Sequence, residues 1–248
     1  MQRFALIGHP LTHSFSKAYF NEKFQREGIE ACYENFDIHQ ITDIQLIISQ
    51  YADLKGFNVT IPYKEAIIPL LDEVDPTALE VGAVNTVKVM RDGRMKGFNT
   101  DVIGLGYMDC FASLAMTEAA LILGTGGASK AVQYVLRQKG IGYHLVSRDA
   151  QRGDYTYKQL TRELIEQHPL IINATPLGTF PKVNEAPALP YDAIGSHHTL
   201  FDLVYNPEET VFLRQGRLRG AKTFNGLTML HQQAEASWRI WTKNETDI

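Results

Sequence analysis

The chain has 248 residues, enough to bury a sizeable core in one large domain or in two of ordinary size. Its 24 Lys and Arg against 28 Asp and Glu leave a formal net charge of -4, which gives no electrostatic grip on nucleic acid. No apolar run approaches the ~18 residues of a membrane span, and Cys32 and Cys110 are spaced for neither a metal site nor a redox motif.

The start, MQRFALIGHP, is too short in apolar residues for a signal peptide, so a cytoplasmic protein with free thiols, no metal and no membrane attachment is expected. RFALIG predicts a strand ended by Gly8 and Pro10, followed by a loop with two serines and two histidines. KAYFNEKFQREG predicts an amphipathic helix with Gly28 as its C-cap, ACYENFDI a second strand, and HQITDIQLIISQYA a second helix. GFNVTI alternates apolar and polar residues as a third strand, and Pro62 stops it. This order points to a mostly parallel α/β sheet. The spacing in YKEAIIPLLDEVD predicts a helix around Ala66 to Val74, which places Lys64 at a strand-to-helix junction, where open α/β sheets bind ligands. Taken alone, Lys64 reads first as a surface charge in a helix's first turn.

GAVNTVKVMRDGRMKGFNTD predicts a hairpin turning at Asp92-Gly93, and DVIGLGYMDCFASL a helix. Then the pattern restarts: strand AALIL, glycine turn GTGGAS, helix SKAVQYVLRQKG and strand GYHLVS. Glycines at such a turn let backbone approach a pyrophosphate at a helix N-terminus, although GxGGAxxxA departs from GxGxxG. After the second strand come Ser147, Arg148, Asp149 and Arg152. Arginine there favours the 2′-phosphate of NADP, and Asp149 keeps NAD open. TYKQLTRELIEQH predicts a helix, PLIIN a strand, HTLFDLVYNPEETVFLRQGRLRG a strand, turn and helix, and KTFNG a short strand. In the final helix Trp238 and Trp241 share a face with Leu227, Leu230 and Ala234, which predicts that it packs back onto the first domain.

Eight motifs in order give the chain a resemblance to the shikimate dehydrogenases: GxPLxHSxS (Gly8 to Ser16), NVTxPxK (Asn58 to Lys64), GAVNT (Gly82 to Thr86), GxNTDxxG (Gly97 to Gly104), GTGGAS (Gly124 to Ser129), NATPLG (Asn173 to Gly178), DxxYxP (Asp202 to Pro207) and NGxxMLxxQ (Asn225 to Gln233). The resemblance implies an N-terminal α/β substrate domain, residues 1–100 with 227–248, and a Rossmann-like NADP-binding domain, residues 101–226, with a cleft between them. It implies reduction of 3-dehydroshikimate to shikimate with Lys64 and Asp101 at the reacting oxygen, and Ser14, Ser16, Thr60, Asn85, Tyr205 and Gln233 holding the substrate. Gly124, Thr125, Gly126, Gly127 and Ala128 would cradle the pyrophosphate, Arg148 and Arg152, beside Ser147, would take the 2′-phosphate, and Leu203 and Gly226 would lie by the nicotinamide.

The chain departs from the family pattern at Lys17, where proline is usual, at Phe20, where histidine is frequent, and at Ser147 and Asp149, which replace asparagine and threonine. The first two bear on the mouth of the substrate site and the last two on cofactor preference. Two alternatives stay open: a quinate or mixed quinate/shikimate dehydrogenase using NAD, and a non-catalytic sensor of a shikimate-like ligand. A sensor has no need of Lys64 and Asp101 together. Either a monomer or a homodimer is compatible with the sequence.

Overall fold

The computed structural model describes residues 1–11, 14–108 and 119–245, which excludes His13, Cys110 and the second half of the helix expected at 101–114. The described chain divides into two compact units, residues 1–100 with 234–248, and residues 101–233. The second division falls inside the last helix.

In the first unit, strands β1 (Gln2–Gly8), β2 (Ala31–Asp37), β3 (Leu54–Val59), β4 (Glu73–Val74), β5 (Thr86–Val89) and β6 (Met95–Phe98) form one sheet in the order β2-β1-β3-β5-β6-β4. Strand β1 runs parallel to both β2 and β3, while β5 is antiparallel to β3 and β6. From Phe4 to Ile7 β1 is covered on both faces and wholly apolar, as central parallel strands are. Ala5 and Ile7 join Ile44, Ile47, Phe57, Val59 and Ile67 in one core. Phe4 and Leu6 join Phe20, Phe24, Tyr33, Ala234 and Trp241 in another. Helix α1 (Phe15–Glu27) supplies Phe20 and Phe24, and it ends where Gly28 takes φ 66, the left-handed C-cap its sequence predicts. Helix α2 (Ile44–Gln50), preceded by a 3-10 turn over Ile41–Asp43, supplies Ile44 and Ile47. The last helix, α8 (Leu227–Thr242), brings Trp238 and Trp241 against Phe4. Its C-terminal carbonyls, Ile240 at 3.1 Å and Lys243 at 2.5 Å, accept from the buried Lys88 ammonium.

The segment expected to be helical at 66–74 is not an α-helix. It forms a 3-10 turn over Ile68–Leu70 and then the short strand β4. Pro69 has no N–H for the Glu65 carbonyl, and its ring crowds the preceding turn. The chain closes i to i+3 bonds instead, such as Leu70 N to Ile67 O at 2.9 Å, and then pairs with β6. The α-helix of this region, α3, starts later, at Pro76–Val81. Asp75 caps its N-terminus, Pro76 occupies the first turn and Gly82 closes it at φ 69.

The second unit is a fully parallel sheet of β7 (Ala119–Leu123), β8 (Gly142–Ser147), β9 (Tyr155–Thr156), β10 (Leu170–Asn173), β11 (Thr199–Asp202) and β12 (Lys222–Phe224), in the order β12-β11-β10-β7-β8-β9. The strand order reverses at β7, which has β8 on one side and β10 on the other. This is the doubly wound dinucleotide-binding arrangement. Helix α4 (Asp101–Gly106) opens the unit, and α5 (Gly127–Gln138) buries Ala131, Val132, Val135 and Leu136. Leu121 and Leu123 pack with Ile165 of α6 (Arg162–Glu166) and with Phe212 and Leu213 of α7 (Val211–Arg217). The single helix expected over 156–168 is split. Thr156 and Thr161 each cap a separate turn, and Leu160 between them is extended at φ -72, ψ 105. Threonine hydroxyls compete with helix continuation by bonding nearby backbone N–H groups. Among the described residues, no helix is long and apolar enough to cross a membrane.

Candidate active site

In the first unit the chain leaves β1 and β3 side by side. Thr60 N donates to Ile7 O at 2.9 Å and His9 N to Ile61 O at 3.1 Å. The exits are so close that a Cβ on Gly8 would stand 2.5 Å from Thr60 Cγ2. Asp37, at the end of β2, holds the first exit by accepting from Leu11 N at 2.9 Å and pairing with His9 Nδ1 at 2.6 Å. These contacts hold its carboxyl below the usual range. Ser14 follows just before α1 and Ser16 lies in its first turn. Ser14 caps the helix, its oxygen accepting from Lys17 N at 3.1 Å, which leaves its own O–H to donate. Ser16 lies beside the Tyr33 hydroxyl.

Tyr33 opens a buried polar chain across the sheet. Its hydroxyl donates to Asn58 Oδ1 at 2.8 Å, and Asn58 Nδ2 lies 3.0 Å from both Thr86 Oγ1 and Ser237 Oγ. Thr86 and Ser237 are 2.8 Å apart, and Thr100 Oγ1 lies 3.1 Å and 3.2 Å from them. Asn85 Oδ1 accepts from Thr100 N at 2.7 Å, which fixes the side-chain amide with its nitrogen turned away from Thr100. The same bond anchors the backbone that enters Asp101, the first residue of α4, which is only 2% exposed. Lys64 is half-buried in the turn after β3, and Val84 N donates to its carbonyl at 2.7 Å. That is a turn held by backbone bonds, where a helix was expected.

In the second unit the turn after β7 takes Gly124 to φ +105. A Cβ there would stand 3.0 Å from Thr175 Cγ2 and 3.2 Å from Ala174 O, so only glycine fits between the ends of β7 and β10. Thr125 and Gly126 complete the turn, and Gly127 and Ala128 begin α5. No side chain caps the helix, and space around Gly126 is open. The first N–H groups of α5 are thus presented as an anion site at the sheet's switch point, which fits a dinucleotide pyrophosphate.

At the end of β8, Ser147 is buried while Arg148 and Arg152 are exposed. The Asp149 carboxylate accepts from Gln151 N at 2.9 Å and so shapes its own loop. At the ends of β10 and β11, Asn173 Nδ2 donates to Asp202 Oδ1 at 2.9 Å and Thr210 donates to Asp202 Oδ2 at 2.6 Å. Burial pushes the Asp202 carboxyl up to about 6 against these hydrogen bonds. The cluster fixes the segments carrying Leu203 and the half-buried Tyr205. Gly226 N donates to Val204 O at 3.2 Å, and a Cβ on Gly226 would stand 2.2 Å from Leu203 O. Gln233, half-buried, lies on α8. No metal-binding cluster occurs among the described residues.

The sequence reading missed Tyr33, Thr86, Thr100 and Ser237. The two threonines stand inside quoted motifs, each directly after an asparagine. Ser237 carried one weak signal, a small polar residue within the buried face of α8 between Ala234 and Trp241.

A glycine-turned, doubly wound parallel sheet, joined in one chain to a second sheet with polar groups gathered at its strand ends, is the build of a two-unit dinucleotide-binding enzyme. Residues 6–87 match the shikimate dehydrogenase substrate binding domain family. The shikimate dehydrogenase (NADP(+)) of Methanococcus maripaludis is 36% identical over 98% of this chain and 92% of its own. That of Moorella thermoacetica is 38% identical over 98% and 89%. The Thermus thermophilus shikimate 5-dehydrogenase structure, in complex with NADP(H) and shikimate, superimposes with a TM-score of 0.84 at 34% identity, covering 98% of this chain and 94% of that one. The chain belongs to the shikimate dehydrogenase family.

Proposed function

We propose that the chain catalyses the NADPH-dependent, reversible reduction of 3-dehydroshikimate to shikimate, a step toward chorismate and the aromatic amino acids, in the cytoplasm and as a monomer or homodimer. The first unit is the substrate-binding half and the second the dinucleotide-binding half. The observation that carries the reading is the buried Asn58–Thr86–Ser237–Thr100–Asn85 chain. Buried polar groups are costly unless paired, and here they are paired so that Asn85 and the backbone entering Asp101 are each fixed in one orientation.

When bound, the reduced nicotinamide supplies the hydride for the C3 carbonyl carbon of the substrate. The residues of the chain do the rest. Lys64 donates the proton to the C3 oxygen and stabilises the charge gathering there, with Asp101 as the other member of the acid-base pair. Ser14 and Ser16 hold the substrate carboxylate, and Thr60, Asn85, Tyr205 and Gln233 hold its carboxylate and ring hydroxyls. Gly124 to Ala128 receive the pyrophosphate, Ser147, Arg148 and Arg152 the adenosine ribose phosphate, and Leu203 and Gly226 the nicotinamide. Three supports bear on these assignments: Ser14 retains its hydroxyl hydrogen, the α5 N-terminus has no side-chain cap, and the Asp149 carboxylate is engaged by its own loop.

The test is initial rates at the nicotinamide absorbance band with shikimate and quinate, each with NADP and NAD. Turnover of shikimate with NADP, well above the other combinations, is expected. A quinate dehydrogenase from Corynebacterium glutamicum, in complex with NAD, has a TM-score of 0.84 at 29% identity over 98% of this chain and 94% of that one. Faster turnover of quinate with NAD would therefore select that activity, and no turnover with any pair would leave a ligand sensor.

A further inference from the structure

Strand β9 reaches its place beside β8 through residues 148–154 alone. A parallel neighbour ordinarily needs a crossover of about a dozen residues or more, usually helical. Two features make the short route possible. A Cβ on Gly153 would stand 2.9 Å from the Leu145 carbonyl oxygen and 3.0 Å from Ser147 Cβ, so the returning chain can press against β8 only at glycine. Asp154 then bonds Leu145 twice, its N–H to the carbonyl at 2.9 Å and its carboxylate to the N–H at 2.7 Å.

The consequence lies at the carboxyl edge of the sheet. Ser147 pairs in register with Thr156, so the next residues, Arg148 and Tyr157, leave the two strands side by side. The turn after β9 is fixed by a capping box in which Gln159 Oε1 accepts from Thr156 N at 2.7 Å and from Thr156 Oγ1 at 2.8 Å. Arg148, Ala150, Thr156, Tyr157 and Lys158 line one surface depression. Two exposed cations from adjacent strand ends thus flank a hollow walled by a tyrosine ring, on the edge where doubly wound sheets bind ligands. Arg152, by contrast, sits on the connection itself, its N–H bonded to Asp149 O at 3.0 Å, and does not line the depression.

We propose that Lys158 is a further cation, beside Arg148 and Arg152, for the adenosine 2′-phosphate of the cofactor, a residue that sets preference for the phosphorylated dinucleotide and is delivered from the neighbouring strand. The inference rests on the NADP reading above and adds a residue to it. Arg148 takes the phosphate in its planar fork, and Lys158 meets the dianion's other side as a point charge.

Titration calorimetry of the full chain with 2′,5′-ADP and with 5′-AMP isolates the contribution of the 2′-phosphate. Lys158→Gln should weaken 2′,5′-ADP binding about tenfold, leave 5′-AMP within about twofold, and raise KM for NADPH but not for NADH. Lys158→Arg should keep most of the preference. Unchanged 2′,5′-ADP affinity in Lys158→Gln, or equal weakening of both probes, overturns the role of Lys158. A wild-type chain that fails to distinguish the probes would sink the NADP reading itself, which separates the two failures.

Discussion

Lys64 is where the chemistry can be tested one side chain at a time. Its turn is held by main-chain bonds, Val84 N to its carbonyl at 2.7 Å and Tyr63 N to Thr60 O at 2.9 Å, and the Tyr63 hydroxyl ties it to Ile38 O at 2.6 Å. Truncating the side chain removes the ammonium and leaves these bonds in place. Lys64→Ala should lower kcat about 10²-fold or more, with a smaller change in KM for shikimate, as expected when a proton donor acts chiefly in the transition state. Circular dichroism of the variant should match the wild type. Near-normal kcat would take Lys64 out of the reaction and leave it as a binding charge.

Among the elements, β3 and α8 meet at a glycine. A Cβ on Gly56 would stand 2.3 Å from the Trp241 ring and 2.8 Å from Val87 O, the same oxygen that accepts from Trp241 Nε1 at 3.0 Å. Gly56→Ala must then displace the indole and strain its hydrogen bond, and it should cost about 2–4 kcal/mol in urea unfolding. A loss below about 0.5 kcal/mol would mean that the helix end shifts freely. The tryptophans were legible as a buried face of α8, and their packing on Phe4 and Phe24 agrees with that reading. The glycine that admits them was read only as the start of a strand, because the void it leaves is filled from 185 residues further along the chain. Periodicity likewise located α1, α5 and the parallel strands, whose apolar spacing is local. It failed over 66–74, where Pro69 outweighs the apolar pattern, and it passed over α3, although Asp75, Pro76 and Gly82 spell out both ends. The expected site residues rest on motif order, whereas the hydrogen bonds joining Thr86, Thr100 and Ser237 depend on long-range register.

At the scale of the whole molecule, opposing buried titrations shape how the chain tolerates acid. Burial pushes His168 and His198 below their usual range. His168 donates from Nδ1 to Leu164 O at 2.6 Å, so its Nε2 accepts from His144 Nδ1 at 2.9 Å. His198 accepts at Nδ1 from Gly195 N at 3.0 Å and donates from Nε2 to Ile165 O at 3.1 Å. Each ring is thereby tied to α6 or its end in the neutral form, and protonating His168 would set two N–H groups against each other. A base with a depressed folded pKa gives stability that is present above its unfolded value, about 6.5, and lost as pH falls below it. Asp202 works the other way. Its carboxyl is raised to about 6, so the fold takes up a proton before the unfolded chain does, and stability from this group grows as pH falls from about 6 toward 4. A shift of about two units corresponds to roughly 3 kcal/mol. Urea unfolding of the wild type and of Asp202→Asn, compared at pH 7 and pH 4, should move in the wild type's favour by up to about 3 kcal/mol on acidification. His168→Gln should move oppositely, losing less stability than the wild type between pH 7 and pH 5. A stability difference between wild type and Asp202→Asn that stays constant with pH would mean that Asp202 titrates as an ordinary carboxyl, and that its hydrogen bonds from Asn173, Val204 and Thr210 fully offset its burial.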